Sequence, residues 1–208
     1  MVRRHPLPPK LPRAWLFSDE RTAVAPLALA ALLPPGSGII LRHDRLAPGA
    51  RWRLARRLAR IARARRLRLL LAGDPACAAR WGMDGVHLRQ AHSRQARQAH
   101  RLGLMLSMPV HDAREALTAR RAGAQAAFVS PLHPTRSHPG STALGYRAWL
   151  RLARTAGGLP VALGGMTSAR WRALGRAGAI NAGWAAIDAW DERAAKRRSG
   201  QKRKAVPT

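Results

Sequence analysis

The stretch RWRLARRLARIARARRLRLLLAGD (51–74) sets the fold by joining two kinds of periodicity. Over 51–66, Trp52, Leu54, Ala55, Leu58, Ala59, Ile61 and Ala62 form an apolar stripe and arginines fill the other face. That is the pattern of a helix lying against a core. The run LRLLLA (67–72) then drops the helical period and becomes continuously apolar. A strand buried on both faces reads this way, which points to a parallel sheet covered by helices.

Outward from this segment the same unit recurs. Apolar runs lie at 14–18 (AWLFS), 38–42 (GIILR), 67–72, 85–88 (GVHL), 102–107 (LGLMLS), 126–130 (AAFVS), 159–164 (LPVALG) and 180–187 (INAGWAAI). Helical segments lie between them. One starts at Asp112, carries Glu115 in its first turn and stops at Gly123; another runs over 167–178 with a Thr or Ser cap and a glycine stop. Eight strand–helix units in a chain of 208 residues predict a single-domain (β/α)8 TIM barrel. A doubly wound open sheet is the alternative, but the fingerprint glycines expected after its first strand are missing. The expected organisation is a basic, Pro-rich extension over 1–12, the barrel over 13–195, and a basic tail over 196–208 that reads as disordered.

Composition narrows the function. The chain carries 38 Lys+Arg against 10 Asp+Glu, a formal charge of +28, yet is 47% hydrophobic and therefore has material for a core. The basic residues are almost all arginine and are spread along helices, so they describe a coding bias as well as a field that attracts phosphorylated partners. With two Phe and one Tyr, base stacking has little support, and no nucleic-acid partner is expected. A single cysteine, Cys77, excludes an internal disulfide, and no apolar run is long enough for a membrane span. The basic N-terminus has no apolar segment behind it, so a cytoplasmic location is expected.

In such a barrel, chemistry belongs to the loops that leave the C-terminal ends of strands, with phosphate beside strands 7 and 8. Strand 7 ends in Gly164-Gly165-Met166-Thr167, where paired glycines let backbone N–H groups approach an anion at a helix start. Strand 8 ends in Ala185-Ala186-Ile187-Asp188. The longest such loop, SPLHPTRSHPGSTALG (130–145), sets Thr135, Arg136, Ser137 and His138 between Pro134 and Pro139, a set of groups suited to clamping an anion.

The runs GVHLRQ (85–90), SPLHPTRSHPG (130–140), PVALGGMT (160–167) and AGWAAID (182–188) together resemble the thiamine phosphate synthase family and its thiazole tautomerase (TenI-like) branch, from about Trp15 to Trp190. The resemblance implies an Mg²⁺-dependent transferase joining a hydroxymethylpyrimidine diphosphate to a thiazole phosphate, with small phosphorylated substrates as partners and a homo-oligomer left open. It implies that Thr135, Ser137, Gly164, Gly165, Ile187 and Asp188 hold the thiazole phosphate. His138 stands for the family lysine, Ser107 for the serine ending strand 5, and Arg42 for the arginine after strand 2. In the diphosphate half the chain departs from the pattern. The family Gln-x-Arg-x-Lys becomes Ile40-Leu41-Arg42-His43-Asp44, and an Asn-Asp pair becomes Gly73-Asp74. The second metal aspartate aligns with His92, leaving Asp74 as the retained metal ligand. The tautomerase histidine is absent at Ser130-Pro131, with His133 two residues on, so the synthase branch fits better. His87 reads as structural and Cys77 as a filler. The alternative is a divergent paralogue that binds a thiazole phosphate or thiamine phosphate without turnover.

Overall fold

A computed structural model of the chain describes residues 11–20, 22, 24–135, 142–179 and 181–192. Its strands are β1 (Ala14–Ser18), β2 (Gly38–Leu41), β3 (Arg68–Ala72), β4 (Gly85–His87), β5 (Met105–Val110), β6 (Ala126–Val129), β7 (Leu159–Ala162) and β8 (Gly183–Ala186). They pair in parallel in sequence order, and β8 returns to β1, closing a (β/α)8 barrel. The helices around it are α1 (Pro26–Leu32), α2 (Pro48–Ala64), α3 (Pro75–Arg80), α4 (Ala96–Arg101), α5 (Ala113–Arg121), α6 (Gly145–Ala156) and α7 (Ser168–Arg176). A 3-10 segment, Gln90–Gln95, precedes α4.

Alternate residues of each strand fill the interior. Trp15, Phe17, Ile40, Leu70, Met105, Phe128 and Val161 form one cluster there. Trp15 and Phe17 both meet Phe128 edge-on, with ring centroids 5.4 and 5.1 Å apart. The glycines that open β2 and β4 exist to make room. A Cβ on Gly38 would lie 2.1 Å from the Trp15 indole, and one on Gly85 would lie 2.3 Å from the Met105 carbonyl oxygen. Just ahead of β1, Leu11 packs against the inner cluster and the Trp15 indole N–H donates to Pro12 O at 2.7 Å.

The outer layer follows the helical stripes, with Ala55, Leu58 and Ala62 of α2 buried against the sheet. Side-chain caps begin three helices. Asp74 accepts from Cys77 N (2.7 Å), Asp112 from Glu115 N (2.8 Å) and Thr167 from Arg170 N (3.2 Å). Two sequence boundaries move. Helix α2 begins at Pro48, where a proline in the first turn lacks an N–H that would be unbonded anyway. Strand β5 lies three residues later than read, since Leu102 and Gly103 (φ 64°) form the stop of α4. It continues through Pro109, a residue that ordinarily argues against a central strand. Ser107 therefore sits within β5 and not at its end.

Candidate active site

Because all eight strands run the same way, their C-terminal ends share one face. At the ends of β6, β7 and β8 this face opens into a cavity of about 310 Å³, lined among others by Thr135, Gly164, Gly165, Ile187 and Asp188. Gly164 and Gly165 adopt φ of 94° and 57°, which side-chain-bearing residues rarely adopt. A Cβ on Gly164 would lie 2.8 Å from Pro131, and one on Gly165 would lie 2.6 Å from Pro134 O. The two glycines thus let the loop after β6 lie directly on the loop after β7. Hydrogen bonds fasten the two loops, Leu132 N to Leu163 O at 2.9 Å and His133 N to Gly164 O at 3.3 Å. Among the described residues, none accepts a hydrogen bond from the N–H of Gly164, Gly165 or Ile187. These unpaired donors, beside the capped start of α7, suit an anion. His133 is partly buried, and burial together with Arg170 holds its pKa below the usual histidine value.

The ends of β1 to β4 carry a different chemistry. Arg51, from the first turn of α2, reaches over the rim: its Nη2 donates to Ala72 O (2.6 Å), Leu41 O (3.4 Å) and the Asp44 carboxylate (3.1 Å). The other Asp44 oxygen accepts from Arg89 Nη2 at 2.7 Å. Arg42 pairs with the buried Asp19 at 3.6 Å, and its backbone N–H donates to Ser18 Oγ at 3.1 Å. Ser18 Oγ also lies 2.9 Å from Nδ1 of His43, whose pKa is lowered chiefly by burial.

Between the two halves, His87 of β4 points into the barrel and meets Phe17 and Phe128 edge-on. Ser107 donates to Val86 O at 3.4 Å, so the imidazole donates Nδ1–H to Ser107 Oγ at 3.0 Å. Burial lowers the His87 pKa to about 3, and Arg42, Arg89 and His111 push it the same way. At neutral pH this is an uncharged polar pair beneath the rim.

A family model described as thiamine monophosphate synthase (TMP-TENI) matches residues 18–189. The chain belongs to this family. Two curated relatives, the thiamine-phosphate synthases of Geobacillus kaustophilus and Geobacillus thermodenitrificans, are each 34% identical over 129 residues, covering 61% of this chain and 58% of their own. The aligned segment thus spans under two thirds of those relatives. A solved thiamine phosphate pyrophosphorylase from Pyrococcus furiosus shares the fold with a TM-score of 0.67 at 19% identity, covering 84% of this chain and 85% of that one. FabK from Thermotoga maritima, at 14% identity, superposes equally well, with a TM-score of 0.68 over 86% of this chain and 59% of its own. Likeness at that level speaks for the barrel alone.

Set against the family pattern, Thr135, Gly164, Gly165, Ile187 and Asp188 come together around one cavity, whereas Arg136, Ser137 and His138 lie outside the described residues. Ser107 is fully buried and bonded to His87. The residues present do not suit a resident magnesium ion, which takes oxygen ligands in octahedral array. Asp74 is turned to the cap of α3, both oxygens of Asp44 are taken by arginines, and among the described residues no group of three His, Cys, Asp or Glu gathers. Sequence reasoning missed Arg51 and Arg89. The signal for Arg89 was present, since an arginine stands in GVHLRQ where the family has a glycine; Arg51 resembled every other arginine of its helix.

Proposed function

We propose that this protein is a thiamine phosphate synthase-like transferase, joining hydroxymethylpyrimidine diphosphate to thiazole phosphate with release of pyrophosphate. The observation that carries this reading is the cavity at the ends of β6 to β8, where the N–H groups of Gly164, Gly165 and Ile187 meet no acceptor among the described residues. The thiazole phosphate takes these donors together with the Thr135 hydroxyl and, as the family resemblance implies, that of Ser137. The pyrimidine diphosphate lies toward Arg42 and the ends of β2 to β4. In the reaction the bond from the pyrimidine methylene carbon to the diphosphate oxygen breaks, and the electron pair leaves with diphosphate. The thiazole nitrogen then donates its lone pair to the resulting cation, forming the carbon–nitrogen bond of a thiazolium. No protein nucleophile is needed. The protein contributes fixed cations where the leaving group gains charge, and a removed donor of this kind costs about 3 kcal/mol of barrier.

Incubating the pure protein with both substrates should yield thiamine phosphate and pyrophosphate in equal amounts. The Arg42→Ala variant should slow turnover more than it weakens thiazole phosphate binding; equal damage to both, or no product beside an active control, would refute the assignment. A second reading, a paralogue that binds thiazole phosphate without turnover, is favoured by the engagement of Asp74 and Asp44 elsewhere. Calorimetry with thiazole phosphate separates the two, since the second predicts binding without product.

A further inference from the structure

Among the described residues the rim of β2 to β4 gathers no group of three carboxylates or imidazoles for the magnesium that the family implies, and its geometry suggests a replacement. The position where the family places a diphosphate-gripping lysine holds Asp44, which by charge alone would repel the ligand. Asp44 is instead flanked by two guanidinium groups, Arg51 at 3.1 Å and Arg89 at 2.7 Å, one on each oxygen. Arg51 is held by two strand-end carbonyls as well, and its side chain is only 17% exposed. A Cβ placed on Gly73, in the family's asparagine position, would lie 3.8 Å from Arg51 Nη1, so the end of β3 passes within van der Waals reach of this guanidinium. Arg89 is 70% exposed and spends one nitrogen on Asp44. A guanidinium carries five N–H donors, so each arginine keeps donors for a second acceptor.

We infer that the β2–β4 rim binds a diphosphate through the guanidinium pair Arg51 and Arg89, oriented by Asp44, without a divalent cation. The inference rests on the proposed reaction for the identity of its ligand, but the binding itself is independent of turnover. Charge-assisted N–H contacts, from Nη1 of Arg51 and from the nitrogens of Arg89 not spent on Asp44, provide charge that a metal would otherwise provide. Of the other carboxylates near this rim, Asp19 pairs with Arg42, Glu20 with Arg45, and one oxygen of Asp74 caps α3.

The test is calorimetric titration of inorganic pyrophosphate into the full chain presaturated with thiazole phosphate, once in EDTA and once in excess magnesium. Binding in EDTA is expected, with magnesium giving no tightening. Arg89→Gln, at an exposed position where folding is not at stake, should weaken it at least about tenfold, the loss of one charge-assisted contact. Arg60→Gln on the outer face of α2 removes the same charge elsewhere and should leave the affinity unchanged. Binding that requires magnesium, or that falls equally in the two variants, overturns the inference, the latter by assigning it to net charge. If thiazole phosphate itself fails to bind, the proposed function fails; if it binds and pyrophosphate in EDTA does not, only this inference does.

Discussion

Acid should destabilise this barrel through one interior histidine, and the effect can be worked out from its surroundings. His87 has a pKa of about 3 in the folded protein against an ordinary 6.5. Above about pH 6.5 it is neutral in both folded and unfolded chains and contributes no pH dependence. Between about 6.5 and 3 the unfolded chain takes up a proton that the folded one refuses, so stability falls as pH falls, by about 1.4 kcal/mol per pH unit. At about pH 5 the loss is about 2 kcal/mol, a sizeable share of the 5–15 kcal/mol typical of a domain. His43 and His133 are shifted in the same direction, so the wild type alone does not isolate His87. The His87→Gln variant does, since it keeps a polar group near Ser107 and removes the titration. Urea unfolding followed by far-ultraviolet circular dichroism at about pH 7 and pH 5 should show the wild type losing about 2 kcal/mol more than the variant. Equal losses would mean that His87 is hydrated, and the dry polar pair beneath the rim would be a wrong description.

Two further outcomes follow from the packing. Gly38→Ala should cost about 3 kcal/mol by chemical denaturation, because its methyl would overlap the fully buried Trp15, and a companion Trp15→Leu change should make the pair far less than additive. Asp74→Ala should lower stability by about 1 kcal/mol through loss of the α3 cap, while magnesium titration of the folded protein gives the same heats as the wild type.

Much of this architecture was legible because the barrel strands are buried on both faces. AWLFS became β1 residue for residue, and GIILR, GVHL and AAFVS each need only their last residue trimmed. Strand β5 was misplaced because apolarity does not distinguish the last residues of a helix from the first of a strand, and Pro109 hid its continuation. The glycine pair after β7 was read as giving N–H groups access to an anion. It also has a packing role that sequence could not reveal, since the atoms it avoids belong to Pro131 and Pro134 in another loop. Arg51 was illegible for a related reason. Its helical phase fits the polar face of α2, and only closure of the barrel brings Leu41 O and Ala72 O within its reach.

The arginine-rich composition acquires a sharper meaning once the two ends of the barrel are compared. At the N-terminal end, Arg65 donates to Leu33 O at 2.8 Å and Arg68 pairs with Asp84 at 3.0 Å. At the C-terminal end, Arg51 makes the analogous clasp between β2 and β3. Each of the three leaves a buried nitrogen unpartnered among the described residues: Arg51 Nε, Arg65 Nε and Arg68 Nη2. A five-donor group offers more hydrogens than a strand end has acceptors, so the surplus is a cost of about 1–3 kcal/mol wherever no further acceptor arrives. At the N-terminal face, where barrel residues serve stability, that cost has no return in binding. At the C-terminal face the same rigidity fixes a positive charge on the rim before any anion reaches it, and little side-chain freedom remains to be lost on binding. One residue type thus serves both ends of the cylinder, and the direction of the strands decides which of its members face a ligand.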